Sequence, residues 1–269
     1  MPTPSKIVLV TGASSGLGLA MARHLHLRGH RVYGTSRAPR EDAPWPMLEL
    51  DVCSDDSANA CVGRVLEREG RLDVLINNAG YAFLGALEET RLEDARAQME
   101  TNFFGALRMM LAVLPILRRQ SSGHIVNVSS ISGAVGMPFA GAYAASKHAL
   151  EGASEALAHE LHGSGLRVTL IEPDGMRTGI GARFQQPARE HPLLGAKRKR
   201  LVAVLENVTA EGGDGIDPEV LARAVGEAIE SASPPLRIVI GEKAQKLITA
   251  KRFFSEPAFA NLIAELAAE

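Results

Sequence analysis

The residues with the clearest chemical potential are a tyrosine and a lysine one helical turn apart. Tyr143 and Lys147 occupy positions i and i+4 of a stretch with helical periodicity, which places both side chains on one face of the helix. An ammonium beside a phenol favours the phenolate and lowers the phenol pKa from its reference value of about 10. Such a tyrosine can exchange a proton near neutral pH, which the interconversion of a carbonyl and an alcohol requires.

A serine accompanies this pair. Tyr-x-x-x-Lys arises often by chance, and alone it is more typical of an ordinary amphipathic helix. Ser130, however, directly follows a strand-like apolar stretch, in Asn127-Val-Ser-Ser130, and ligands of doubly wound sheets bind at the carboxyl ends of the strands. The three side chains together therefore favour a proton-transfer site.

A glycine-rich turn joins the first apolar stretch to the first helical one. Gly12 allows a tight turn, Gly16 leaves room for a pyrophosphate beside the backbone, and Gly18 lets the helix pack closely on the sheet. The helix N-terminus then offers free N–H groups to phosphates. An ordinary glycine-rich turn is the alternative, because the spacing Gly-x-x-x-Gly-x-Gly differs from the commonest dinucleotide fingerprint.

The end of the second strand indicates which dinucleotide binds. An acidic residue there holds the ribose 2′-hydroxyl of NAD, but this chain has Ser36 and Arg37. A guanidinium can bind a 2′-phosphate through two hydrogen bonds, so the sequence favours NADP(H). The alternative is a surface arginine that opens a turn before Pro39.

Strand and helix patterns alternate along the chain, which predicts an α/β fold: one doubly wound parallel sheet, of the Rossmann type, with helices on both faces. Almost wholly apolar strands are predicted at 7–10, 31–35, 47–50, 74–77, 124–128, 167–171 and 237–240. Helices are predicted at 17–28, 57–69, 97–118, 144–162 and 218–231. A single domain is expected over 1–269, with 179–215 as a lid or a pair of short helices. The basic run 197–200 within it is predicted to be a solvated surface.

Composition excludes several classes of protein. The 269 residues carry a net charge of −2 and only 4% aromatic residues, which argues against nucleic-acid binding and against an anionic-membrane binder. Cys53 and Cys61 match no zinc spacing, so no metal site and a reducing compartment are predicted. Neither an apolar run of about 18 residues nor a signal-peptide pattern is present. A cytoplasmic protein without a transmembrane segment is expected.

Over nearly its full length the chain resembles the classical short-chain dehydrogenase/reductase family. The resemblance rests on the order and spacing of these motifs: Thr11-Gly-x-x-x-Gly-x-Gly18, Asp51-Val52, Asn77-Asn-Ala-Gly80, Asn102 in Thr-Asn-Phe-Phe-Gly, Ser130, and Tyr143-x-x-x-Lys147. It implies that Ser130 holds the substrate oxygen, that Tyr143 exchanges the proton, and that Lys147 binds the nicotinamide ribose and tunes Tyr143. It also implies that Asn102 kinks its helix and holds a water that links Lys147 to solvent.

The resemblance also implies a set of NADP(H) contacts. Asp51 and Val52 belong to the adenine end, and Asn78, Ala79 and Gly80 to the ribose and the sheet edge. The full predicted cofactor set is Gly12, Ser14, Ser15, Gly16, Leu17, Gly18, Ser36, Arg37, Asp51, Val52, Asn78, Ala79, Gly80, Tyr143, Lys147, Pro173, Met176 and Thr178.

Two positions depart from the family pattern. Asp174 stands where a glycine is usual, and Ser15 stands where many NADP-linked members carry a basic residue. The prediction of NADP(H) therefore rests mainly on Arg37.

The substrate is predicted to be a lipophilic ketone or aldehyde. The tail 234–241 resembles members that act on steroids and retinoids, and the segments expected to form the pocket are mostly apolar. These wall residues are Ala82, Phe83, Leu84, Val135, Met137, Pro138, Phe139, Met176, Ile180 and Phe184. Arg177 and Arg183 leave an alternative open, a small acidic carbonyl substrate, unless both face solvent.

Other functions and an assembly state were also weighed. A non-catalytic NADP(H) sensor has no need of Ser130, Tyr143 and Lys147 together, and a nucleotide-sugar epimerase of the extended branch is normally longer. Small and apolar residues on helices 97–118 and 144–162 predict a homodimer or homotetramer.

Overall fold

A parallel sheet with helices on both faces forms the centre of the molecule. The structure, a computed structural model, describes residues 4–39 and 41–266, so the ends of the predicted domain lie outside the described residues. Seven strands in this part of the chain pair in the order β3-β2-β1-β4-β5-β6-β7, every pair parallel. They are β1 (Ile7–Val10), β2 (Arg31–Ser36), β3 (Met47–Glu49), β4 (Val74–Asn77), β5 (Gly123–Val128), β6 (Leu166–Pro173) and β7 (Arg237–Ile240). The predicted fold is confirmed, and the predicted strand ends agree within two residues.

The strands are apolar along their length because both faces of the sheet are covered. One face packs against α2, α4 and α5 and the other against α1 and α7, so the core is divided into two layers. The helices are α1 (Gly16–Leu27), α2 (Asp55–Glu69), α3 (Leu92–Met99), α4 (Gly105–Gln120), α5 (Gly141–Glu160), α6 (Gly195–Thr209), α7 (Pro218–Glu230), α8 (Glu242–Phe253) and α9 (Glu256–Leu266). The sequence interpretation missed α8 and α9; none of the residues of α9, all of them described, is buried.

The strand order reverses direction at β1. The chain runs from β1 outwards through β2 to β3, and then returns to β4 on the other side of β1. Such a reversal opens a crevice at the carboxyl ends of the two central strands, and ligands of doubly wound sheets bind there. The glycine turn after β1 lies at this crevice.

The helix predicted at 97–118 is longer and is distorted in the middle. It begins with α3 at Leu92 and ends with α4 at Gln120, with a π-helical turn over Glu100–Phe104. By length and composition this stretch could cross a membrane. Its inner face, however, packs in the core, where Met109 and Val113 are fully buried, and a core helix passes the same test.

The segment 179–215 is ordered by a buried ion pair. It contains one short 3₁₀ helix, Ile180–Arg183, and one helix of 15 residues, α6, where a lid or a pair of short helices is predicted; the lid stays a prediction. The basic run is not entirely solvated, because the Arg198 Nε lies 2.9 Å from the Glu89 Oε2 and both side chains are almost completely buried. Removing one partner of such a pair typically costs about 3–5 kcal/mol, so this contact holds α6 against the loop after β4.

Candidate active site

The side chains of Ser130, Tyr143 and Lys147 meet beyond the carboxyl end of β5. Ser130 begins the 3₁₀ turn Ile131–Gly133, and its Oγ accepts the Ser132 N–H at 3.1 Å. Tyr143 and Lys147 lie in the first turns of α5. The Lys147 Nζ is 5.9 Å from the centre of the Tyr143 ring and donates to the Val128 carbonyl at 2.8 Å. The shared helix face predicted from the spacing is therefore present, and α5 brings it against β5.

The electrostatics differ from the expectation in one respect. Burial raises the pKa of Tyr143, and the side-chain hydrogen bond with Ser130 acts in the opposite direction. The net pKa of Tyr143 is raised, so the expected lowering is not found; the Lys147 ammonium donates to the Val128 carbonyl. The identified group that favours the phenolate is thus Ser130.

Lys147 itself is buried, and a carboxylate limits the effect of that burial. Desolvation lowers the pKa of Lys147 to about 8, while the charge of Glu151, one turn further along α5, raises it. Glu151 is held by Arg237 of β7, whose Nε lies 3.1 Å from one carboxylate oxygen, and Arg237 also pairs with the buried Glu172 at 3.3 Å. Lys147 is therefore linked through Glu151 to a cluster of charges in which the two carboxylates are buried and Arg237 is partly exposed.

Asn102 connects the loop after β4 to α5. It lies in the π-helical turn, so the expected distortion of its helix is present. Its Oδ1 accepts the Tyr81 N–H at 3.1 Å, and its Nδ2 donates to the Tyr81 carbonyl at 3.0 Å and to the Ser146 Oγ at 3.1 Å. Its amide is thus bonded to protein groups, and the expected water-holding role stays a prediction.

The glycine turn is fixed by hydrogen bonds to the loop after β4. The Thr11 Oγ1 accepts the N–H groups of Asn78 and Ala79, both at 2.9 Å, and the Asn78 side chain donates to the Thr11 and Gly12 carbonyls. A Cβ on Gly18 would lie 2.2 Å from the Gly12 carbonyl oxygen. A side chain at this position would therefore clash with the turn, so close packing explains why residue 18 is glycine, as the sequence predicts.

Several other predicted cofactor residues border the same turn. Gly12 and Gly16 have φ angles of +67° and +57°, a region that favours glycine. Thr178, from the segment after β6, lies beside Gly16, and Gly80 lies against the Asn102 side chain. Ser14, Ser15 and Leu17 belong to the turn or to the first residues of α1.

The remaining predicted cofactor residues lie further along the strand ends. The Ala13 N–H donates to the Thr35 carbonyl at 2.8 Å, which ties the turn to the end of β2. Arg37 is exposed beyond that end, and the Ser36 Oγ has no hydrogen-bond partner among residues 4–39 and 41–266.

Asp51 and Val52 follow β3. The exposed Asp51 accepts the Cys53 N–H at 2.9 Å, and the buried Val52 packs against Gly105. The sheet therefore places them at the same carboxyl edge as the end of β2.

The segment after β6 is tied back to the protein. Pro173 ends β6 and Met176 is buried. Asp174, which replaces the usual glycine, accepts the Gly175 N–H at 2.8 Å and packs under Gly241. Arg177 donates to Asp217 at 3.0 Å.

Arg183 was not expected to join the cofactor site, yet its Nη1 donates to the Ser15 Oγ at 2.8 Å. The contact joins residues far apart in sequence, so no local pattern could have indicated it.

A cavity of about 280 Å³ opens beside the first turn of α5. Phe139 next to it has a φ of +59°, a conformation that costs a bulky residue energy and is concentrated at functional sites. The lining residues are Gly85, Ala86, Leu87, Glu88, Met137, Pro138, Phe139, Gly141 and Leu194. The cavity is thus mostly apolar and lies close to Tyr143 along the chain.

The predicted pocket walls are present only in part. Met137, Pro138 and Phe139 line the cavity, while others pack against α6 or within the core. Those buried instead are Ala82, Phe83, Leu84, Val135 and Met176. Leu84 packs with Val202 of α6 and with Phe184, which explains why it does not face the cavity.

Comparisons with known proteins agree with this geometry. Residues 6–189 match the family model described as short chain dehydrogenase. A 3-ketodihydrosphingosine reductase of Bacteroides thetaiotaomicron is 40% identical over 246 residues, which cover 90% of each chain. Human retinol dehydrogenase 8 is 34% identical over 267 residues, covering 88% of this chain and 82% of that protein.

The fold also matches solved structures. A short-chain dehydrogenase from Streptomyces avermitilis superimposes with a TM-score of 0.82 at 32% identity, covering 100% of this chain and 97% of that one. Structures with this fold include one in complex with NADP and one in complex with NAD, so the comparisons leave the choice of dinucleotide open. The resemblance seen in the sequence is confirmed: the chain belongs to the short-chain dehydrogenase family.

Proposed function

We propose that this protein is an NADP(H)-dependent oxidoreductase that interconverts a carbonyl and an alcohol, acting as a reductase of a lipophilic ketone or aldehyde. The observation that carries the proposal is the convergence of Ser130, Tyr143 and the buried Lys147 at the end of β5. A mostly apolar cavity is lined by Gly141 of the same first turn of α5 as Tyr143. A protein that only senses the dinucleotide has no use for this combination.

The glycine turn fits a dinucleotide. Gly12 and Gly16 present their backbone without side chains, and the first residues of α1 direct free N–H groups at the crevice. The unpartnered Ser36 Oγ and the exposed Arg37 lie where a ribose 2′-phosphate is expected. When bound, the nicotinamide ring supplies or accepts a hydride at its C4 atom.

In the proposed reduction, each of the three side chains has a separate task. The Ser130 hydroxyl donates a hydrogen bond to the carbonyl oxygen of the substrate. The Tyr143 hydroxyl delivers a proton to the same oxygen as the carbonyl carbon is reduced, which avoids an unprotonated alkoxide. Lys147 binds the nicotinamide ribose. In the resting enzyme the pKa of Tyr143 follows burial and Ser130; the proposed role of the Lys147 charge, 5.9 Å from the centre of the Tyr143 ring, is on the phenolate formed in the reaction. Asn102 holds α5 in place against the loop that follows β4, through its hydrogen bonds to Ser146 and Tyr81.

A lipophilic substrate is supported by the cavity and by the arginines. Arg177 is paired with Asp217, and Arg183 lies against the glycine turn, where it donates to Ser15; neither side chain lines the apolar cavity. The names of two relatives, a 3-ketodihydrosphingosine reductase and a retinol dehydrogenase, point the same way. Cytoplasmic location remains part of the proposal.

The experiment for this function measures NADPH oxidation with a panel of carbonyl compounds. We expect a higher kcat/KM for cyclic or aromatic ketones than for a small keto acid, because each buried Å² of apolar surface contributes about 25 cal/mol. A preference for the acid that collapses in Arg177→Ala would overturn the lipophilic assignment. NADPH binding with no turnover across the panel would instead favour a sensor.

The pH dependence of kcat/KM should report the protonation state of Lys147. Because its pKa is about 8, the ammonium is lost as the pH rises through that value, and we expect kcat/KM to fall there. In Glu151→Gln the carboxylate that raises this pKa is gone, so the fall should move to lower pH. Arg237 pairs with this carboxylate and with Glu172. Burial and then the charge of Glu151 raise the pKa of Glu172 to about 7, and the substitution removes only the second of these causes.

Glu155→Gln is the matched control for the pH profile. Glu155 lies one further turn along α5, pairs with the same Arg237 at 3.0 Å and is half-exposed. We expect kcat/KM of the Glu155→Gln variant to fall at the same alkaline pH as that of the wild type. An alkaline limb in Glu151→Gln that does not move would show that Glu151 does not tune Lys147.

A homodimer or homotetramer is proposed from the outer face of α4. Leu111 of α4 and Phe104 of the preceding π-helical turn are 61% and 44% exposed. They border a depression whose apolar side is completed by Leu107 and Ala112 and whose polar side is formed by Asp55, Asn59 and Arg108. Exposed apolar patches of this kind mark contact surfaces. Light scattering at micromolar concentration should give a multiple of 28.6 kDa, and Leu111→Glu should lower it; a single-chain mass for the wild type would contradict the proposal.

A further inference from the structure

An arginine from the segment after β6 reaches the glycine turn. Arg183 ends the 3₁₀ helix Ile180–Arg183, and its Nη1 lies 2.8 Å from the Oγ of Ser15, the residue that precedes α1. Thr178 of the same segment lies beside Gly16. Two points of the segment therefore lie along the turn.

We infer that Arg183 is a phosphate-binding residue of the dinucleotide site. Its guanidinium, oriented by the Ser15 hydroxyl, pairs with a phosphate of the cofactor at the N-terminal end of α1. The inference rests on the proposed function, because it assumes that the glycine turn binds a dinucleotide, and it assigns to that site a residue from outside the turn.

The charge distribution supports this role. The turn 12–17 contains no charged residue, and the first turn of α1 contains no acidic one. Two neighbouring arginines of the same region are neutralised, Arg177 by Asp217 and Arg198 by Glu89. For Arg183, no carboxylate within the described ranges 4–39 and 41–266 lies within ion-pair distance. Its charge is thus uncompensated beside the place where phosphates are expected.

Ser15 orients Arg183 without removing its charge. A hydroxyl can accept from a guanidinium without neutralising it, so Ser15 orients Arg183 and leaves its other N–H donors available. A basic side chain at Ser15 would occupy the same space and repel Arg183. The fold therefore supplies from segment 179–215 the positive charge that the turn itself lacks.

Two phosphate groups of NADP(H) are candidates for the partner of Arg183. The pyrophosphate is expected at the N-terminus of α1. The 2′-phosphate is expected at the end of β2, which the turn contacts through the hydrogen bond from Ala13 to Thr35. Both present the same chemistry to a guanidinium, and cofactor titrations distinguish them.

The test measures the Kd of NADPH and of NADH by titration calorimetry, without substrate, for wild type and Arg183→Ala. Loss of a charge-assisted, two-pronged contact should weaken binding by about tenfold or more. If NADPH alone weakens, the partner is the 2′-phosphate; if both cofactors weaken equally, the partner is the pyrophosphate. Arg183→Lys, which keeps the charge but not the planar fork, should recover part of the affinity.

Arg189→Ala is the matched control, since Arg189 is an exposed arginine of the same segment. This variant should have the same two Kd values as the wild type. Ser15→Ala should weaken binding less than Arg183→Ala and should add little in the double variant. Thermal melts check that the variants fold; because Arg183 is exposed, its melting temperature should match that of the wild type.

Unchanged Kd values in a folded Arg183→Ala would overturn the inference, as would a loss confined to the KM of the carbonyl substrate. If the wild type itself bound neither dinucleotide, the proposed function would fail rather than this assignment.

Discussion

Replacing Tyr143 with phenylalanine is expected to lower kcat by about 100-fold or more, because a positioned general acid typically contributes 10²–10⁴-fold. The ring stays in place beside Lys147, so the Kd of NADPH should change little. The only group removed is the hydroxyl, which forms a hydrogen bond with Ser130. Steady-state turnover with the best ketone of the panel, together with NADPH titration, measures both quantities.

Tyr33→Phe is the matched control for this change. The Tyr33 hydroxyl bonds to Glu69 of α2 and is remote in the fold from the first turn of α5. The control should lose some stability but keep its kcat. A Tyr143→Phe enzyme that retained more than a few per cent of wild-type kcat, while Tyr33→Phe behaved like the wild type, would exclude Tyr143 as the proton donor.

Exchanging the residues at the end of β2 should reverse the choice of cofactor. We expect the wild type to prefer NADPH over NADH, because the pairing of Arg37 with a 2′-phosphate is charge-assisted and worth about 1.5–3 kcal/mol. Ser36→Asp/Arg37→Ala removes that pair and adds a carboxylate that repels the phosphate and can hold a ribose 2′-hydroxyl. The ratio of the two kcat/KM values should then shift towards NADH by roughly tenfold to a hundredfold.

The control for the exchange is Arg31→Ala, at the opposite end of β2. Arg31 pairs with Glu69 at 2.5 Å and is mostly exposed, so its loss should leave the cofactor ratio as it is. A wild type that already prefers NADH would contradict the assignment of Arg37.

Most of the sheet could be predicted from the sequence because its strands are buried on both faces. Apolar runs such as Val74–Asn77 have few alternative structures when glycines and helical patterns flank them. The site residues nearest these strands were also predictable, since Ser130 follows β5 directly and the Tyr143–Lys147 spacing requires only one helix.

Contacts between distant segments were not predictable from local patterns. The burial of Arg198 depends on Glu89, which belongs to the loop after β4. The Arg183–Ser15 contact likewise needs the tertiary path of segment 179–215. The pKa of Tyr143 was predicted in the wrong direction because it is raised by burial, and that burial depends on how α5 packs against the rest of the fold.

The central claim is that this protein transfers a hydride between a nicotinamide and a carbonyl carbon with Tyr143 as the proton partner. The most direct measurement uses NADPH deuterated at C4 with the best ketone of the panel, followed by mass spectrometry and NMR of the alcohol. The cofactor is prepared in two forms, each with deuterium on one of the two faces of C4. The account predicts that one of these forms delivers one deuterium to the carbinol carbon for each NADP⁺ formed in the wild type, and that Tyr143→Phe yields almost no alcohol. If neither form of deuterated NADPH puts deuterium on that carbon of the alcohol, the claim is contradicted.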